Sequence, residues 1–229
     1  METVTPQVVF TIFGIAIKDS VVSTWVIMVV LITLAWFVGK YKPGIAEVII
    51  DSISGIVASV MPDDTKVIKY LSILGTLAIF LVVANIFSVI PFLVAPTANI
   101  NTTLALAIVV FFAVHGFGIL EKGPWGYIKS VASPIFILPL EIVSQVSRTV
   151  SLSIRLFGNI LSTDLIVAIV FSIIPFFLPL PLVALSILTG VLQAYIFTVL
   201  ASVYIASAVV VEDKETERRR LKREASRSS

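Results

Sequence analysis

The chain has 229 residues, 58% hydrophobic and 13% charged, with a mean hydropathy of +1.09 and a formal net charge of +2. That profile excludes a soluble domain and defines an integral membrane protein. With no cysteine and a single histidine, His115, neither a disulfide, a thiolate site nor a histidine metal cluster is expected, and no cofactor is called for.

Residues 1–20 read as an external N-terminus, and METVTPQVVF, lacking a basic n-region, predicts no cleaved targeting segment. Val21 to Gly39 carries no charge over nineteen residues and makes the first span, 21–39. Lys40 and Lys42 follow it directly, so the positive-inside rule puts the N-terminus outside. Residues 43–61 form an amphipathic segment, with Glu47, Asp51, Ser54 and Ala58 at helical spacing opposite Ile45, Val48, Ile49 and Ile53.

From Tyr70 to Leu120 there is no Asp, Glu, Lys or Arg, and 70–120 is read as two spans around the polar stretch IPFLVAPTANINTT. EKGPWGYIK is a turn on the cytoplasmic side. Pro134 and Pro139 break the apolar stretch 130–140, which reads as a re-entrant or interfacial hairpin. Residues 141–174 and 182–211 are two helices of about 50 and 45 Å against a hydrocarbon core of about 30 Å, so strong tilt is expected. Residues 212–229 are a charged cytoplasmic tail. The fold class is an all-α membrane domain with five crossings plus the hairpin.

Arg155 stands in the apolar run SLSIRLFGNILSTDLIVAIV, and its guanidinium cannot escape burial by losing its proton. On a helix, Glu141, Ser144, Arg148, Ser151, Arg155, Asn159 and Ser162 share one face, while Asp164 points about 180° from Arg155. The alternative for this stripe is a small-residue packing seam through Ser144, Ser147, Ser151 and Gly158. A second stripe, Ser186, Thr189, Gln193, Tyr204 and Ser207, runs along the last helix, and Gln193 is placed to hydrogen-bond Arg155. His115 reads as structural. The tail is nearly charge-balanced and GxxxxGK[ST] is absent, so neither nucleic acid nor nucleotide is a partner.

At SLSIRLFGNILSTDL, followed by LTGVLQAYIFTVLASVYI, the chain resembles subunit a of the F-type ATP synthases, the membrane stator component beside the rotating c-ring. The resemblance runs from Leu138 to Ser207, and APTANINTTLALA extends it to Ala95–Ala107. It implies that Arg155 is the essential gate, with Asn159, Gln193, Asp164 and Glu141 serving ion translocation. Asp164 takes the carboxylate position of the outer half-channel and Glu141 the acidic position opening the long helix. Ser186, Thr189, Asn99, Asn101, Arg148, Ser151, Ser162 and Tyr204 are candidate channel lining. Ser186 stands where some members have His, and Asn99 where many have Asp.

The implied function is proton conduction through two offset half-channels to c-ring carboxylates, coupling translocation to rotation. ATP chemistry is on other subunits, so the chain itself is not an enzyme. Partners implied are the c-ring, b-type peripheral stalk subunits, the lipid bilayer and protons, in a bacterial inner membrane. The alternatives are the same subunit coupled to Na+ and a stand-alone secondary transporter, which the absence of an inverted repeat disfavours.

Overall fold

Long charge-free runs without a mid-run proline become helices, because in hydrocarbon a helix satisfies every backbone polar group internally. The computed structural model describes residues 8–12, 15–61, 64–87, 96–132, 138–174 and 179–225. Its helices are α1 (Asp19–Tyr41), α2 (Pro43–Ala58), α3 (Asp64–Phe87), α4 (Ile100–Ala132), α5 (Leu138–Ile173) and α6 (Pro179–Ala225). Five of them, all but α2, contain stretches long and apolar enough to cross a membrane. Proline falls in the first turn of α2, α5 and α6, where its missing N–H costs nothing.

The helices meet along stripes spaced three and four residues apart. Tyr70, Leu74, Leu77 and Leu81 of α3 are buried, as are Ala107, Val110, Val114 and Phe117 of α4. Ala194, Phe197, Ala201 and Ile205 of α6 complete the core with Leu152 and Leu156 of α5. The alanines allow close backbone approach, the main source of helix association in lipid. Tyr70 and Phe117 close the α3–α4 seam edge to face, with ring centroids 4.7 Å apart. Helix α1 is peripheral, burying Ser20, Ser23 and Ile27. Helix α2 packs through Ile53 and Val57 and leaves Ile45, Val48 and Ile49 exposed.

Three local features go beyond the sequence expectations. Within the N-terminal region, β1 (Val8–Ile12) and β2 (Ile15–Lys18) pair antiparallel, with Ile12 opposite Ile15. The EKGPWGYIK turn is a single-residue break. Helix α4 runs through Glu121 and Lys122, kinks at Gly123 (φ 71°, ψ 158°) and resumes at Pro124. That backbone is open essentially to glycine alone. The charged tail is not a separate element, since α6 continues without interruption to Ala225. Glu, Lys and Arg are strong helix formers, and opposite charges such as Glu215 and Arg219 stand four apart. Of the hairpin expected over 130–140, residues 130–132 end α4 and 138–140 open α5, while 133–137 lie outside the described residues.

Candidate functional site

Helix α5 buries one narrow face, Leu152, Ser153, Leu156 and Ile160. Beside it, Ser151, Arg155, Asn159 and Ser162 are exposed. Ser151 and Ser162 are therefore not part of a seam among the described residues: the serine that does pack inward is Ser153, whose hydroxyl lies 3.2 Å from that of Thr103 on α4. Arg155 makes no hydrogen bond or salt bridge with any described residue. At membrane depth an arginine in that state requires a partner or water supplied from outside the chain.

Arg148, two turns earlier on the same stripe, is held differently. It is half-buried, and its guanidinium stacks 5.6 Å from the Tyr204 ring centroid. A small cavity beside it, with room for about one water, is lined by Gln145, Thr149, Tyr204 and the α4 residues Val110 and Phe111. The two arginines are thus chemically distinct despite a shared face.

Gln193 does not bond Arg155, as its place on α6 suggests. Its Oε1 accepts from Asn159 Nδ2 at 2.6 Å, because Asn159, one turn beyond Arg155, faces α6 more directly. Gln193 is 3% exposed and its Nε2 has no partner among the described residues. A buried amide donor left open is costly unless something arrives to accept from it.

Asp164 is half-buried and bonds neither Arg155 nor any other described residue. Glu141 accepts from Gln145 Nε2 at 2.8 Å, a pair one turn apart at the opening of α5. On α6, the Thr189 hydroxyl is spent on its own helix, donating to Leu185 and Ser186 carbonyls at 3.0 Å. Ser207 likewise donates to the Tyr204 carbonyl at 2.8 Å.

Asn99 serves structure. Its Oδ1 accepts the Asn101 N–H at 3.0 Å, capping α4, and its Nδ2 donates to Ser20 Oγ on α1 at 2.9 Å. Asn101 is exposed on that first turn. His115 Nδ1 donates to the Phe111 carbonyl at 2.7 Å, with its ring between Phe111 and Tyr127. Among the described residues no cluster of His, Cys, Asp or Glu could hold a metal ion.

Among the buried polar residues that escape the sequence reading are Asn85, Thr97, Thr103 and Ser153. Asn85 Nδ2 donates to the Gly190 carbonyl at 2.8 Å, and its Oδ1 accepts from the Thr97 hydroxyl at 3.1 Å. Their signal is a lone amide, Asn85, in the charge-free run 70–87.

Together the fold and this site define a multi-pass helical membrane protein that presents an unpaired arginine, an amide pair and a carboxylate along two overlong helices. Residues 21–206 match the family model of the ATP synthase A chain. ATP synthase subunit a 2 of Bradyrhizobium sp. is 46% identical over 213 residues, covering 90% of this chain and 95% of the relative. Subunit a 2 of Picosynechococcus sp. is 39% identical over 88% of this chain and 90% of its own length. Subunit a of Albidiferax ferrireducens is 40% identical over 88% of this chain and 91% of its own. The chain belongs to the ATP synthase A chain family, and with it to the ion-conducting membrane sector of F-type ATP synthases.

Proposed function

We propose that the chain is the stator subunit that conducts protons between two offset half-channels and the carboxylates of a rotating c-ring, coupling each transfer to a rotor step. The observation that carries this reading is Arg155, exposed on α5 and without a hydrogen-bond or salt-bridge partner among the described residues. A rotor carboxylate brought against it is favoured in its ionised form, so the proton leaves as the site arrives. The same fixed charge repels a cation moving directly from one channel to the other.

Asp164, outside the Asn159–Gln193 contact, serves the loading path from the outer side. Glu141 and the polar opening of α5 serve the cytoplasmic exit. The open Nε2 of Gln193 is a donor for a carboxylate or water at the α5–α6 face. Helices of these lengths span a core of about 30 Å only when strongly inclined, which suits contact along a curved ring. Peripheral stalk subunits of b type hold the chain still, and ATP chemistry lies on other subunits. The bacterial inner membrane is the setting, with the N-terminus outside and the C-terminus cytoplasmic.

A second reading, the same machine coupled to Na+, draws on Ser186 and Asn99. The first supplies a hydroxyl and the second is committed to capping α4, so neither adds a titrating chain. Reconstituted complex decides between them. ATP-driven acidification of vesicles without Na+ is expected for proton coupling; ATP-driven 22Na+ uptake that persists with a protonophore establishes the second reading. Transport by the isolated chain, without a ring, would overturn both.

A further inference from the structure

We propose that Asn85 is a positioning residue for the Arg155 face: seated on the Gly190 carbonyl, its carboxamide sets the axial register of α6 and so delivers Gln193 to Asn159. This role rests on the function proposed above, but its geometry can be tested without transport.

Asn85 is 2% exposed, and its carboxamide bridges the Gly190 carbonyl on α6 and Thr97, which is fully buried. A carbonyl inside a helix already accepts from the N–H four residues on, so a second donor reaches it only where two helices come very close. Position 190 permits that approach because it is glycine. A Cβ there would lie 2.8 Å from Asn85 Cβ, an atom fixed to the backbone of α3 that cannot swing aside.

Hydrogen bond and missing side chain together accept one setting of α6. A shift of one residue moves the carbonyl about 1.5 Å along the axis and about 100° around it, and turns the Cβ of Thr189 or Val191 toward Asn85. An apolar pair would pack α3 on α6 in lipid without selecting among neighbouring registers, whereas a buried amide seated on a backbone carbonyl of the partner helix does select. Gln193 follows Gly190 by three residues, about 4.5 Å along the axis. It accepts there from Asn159, one turn from Arg155. The register chosen at Asn85 is therefore carried to the arginine through two contacts.

The chain has no cysteine, so reporter pairs can be placed in it within the full complex without first removing any of its own. With Asn159→Cys and Gln193→Cys, oxidation is expected to cross-link α5 to α6 readily. Adding Asn85→Leu, similar in volume but without the hydrogen bond, is expected to lower the cross-linking rate about fivefold, the ratio an ordinary buried hydrogen bond gives. Gly190→Ala, which keeps Asn85 but crowds it, is expected to do the same. A control pair, Thr103→Cys with Ser153→Cys, reports the α4–α5 contact and is expected to be unaffected.

Unchanged 159–193 cross-linking in either variant overturns the proposal. Equal loss in the control pair also overturns it, since Asn85 then supports the bundle as a whole. In the cysteine-free chain, Asn85→Leu is expected to lose ATP-driven ion uptake in vesicles while ATP hydrolysis persists. Loss of uptake with normal cross-linking would place Asn85 in the ion path instead. If the parent complex moves no ions, the function proposed above fails while the cross-linking ratio still reads the register.

Discussion

Arg155 and Arg148 lie on one stripe seven residues apart, and the chain treats them in opposite ways. Arg148 spends its charge on the Tyr204 ring, while Arg155 is left open. Arg155→Lys is therefore expected to abolish ATP-driven ion uptake by the complex although charge is retained, because reach and fork geometry both change; normal uptake would sink the gate assignment. Asp164→Asn is expected to lower proton uptake severely, measured in the same vesicles, and unchanged uptake removes Asp164 from the path. Asn159→Ala leaves Gln193 Oε1 as well as Nε2 unpaired in a buried site. A cost of about 1–3 kcal/mol is expected, seen as a lower midpoint for thermal release of this subunit from the complex. The charged members of the site are legible in the sequence because an arginine in an apolar run has no cheap explanation. The Asn159–Gln193 pairing is not, since periodicity places both near Arg155 and only side-chain geometry decides which of three polar groups meet.

At the scale of elements, four of the five spans are legible from charge-free runs, and the overlong α5 and α6 from the distance between their breakers. What escapes is punctuation. The β1 and β2 runs, five and four residues long, are too short to stand out beside the first span. The sequence GP at 123–124 reads as a loop, whereas one glycine in an unusual backbone state suffices to break α4 and let helix resume at once. Tyr127, beyond that break, lies against Gly118 and edge-on to His115, nine and twelve residues back. Side chains that far apart in an unbroken helix would be separated by about 13–18 Å, so the kink folds the chain back on itself. Gly123→Ala forces a Cβ into a conformation that disfavours it, costing about 1–3 kcal/mol. The expected result is loss of subunit incorporation or a lowered release midpoint; full stability would show that the break does not depend on glycine.

Among the described residues many large apolar side chains are exposed, Val29, Ile32, Trp36 and Phe37 of α1 together with Ile142, Val146 and Ile154 of α5. Lipid satisfies such surface, so exposure alone does not mark a partner. Arg155 does, because lipid cannot satisfy it. A cysteine at Ser151 is accordingly expected to react with a water-soluble maleimide in the detergent-isolated chain and to be protected in the assembled complex, whereas one at Trp125 is expected to react in both. Equal reactivity of Ser151→Cys in the two states would show that no partner covers this face.

The unbroken run of α6 from Pro179 to Ala225, 47 residues, makes a single rod about 70 Å long. Because nothing interrupts it, helical positions beyond Val211 keep a constant angular phase relative to position 193. Inserting one alanine after Val211 would turn those outer positions by about 100° while leaving every intramembrane contact in place. The part of the rod outside the hydrocarbon can thus be dialled independently, like the hand of a clock whose spindle is fixed within the membrane.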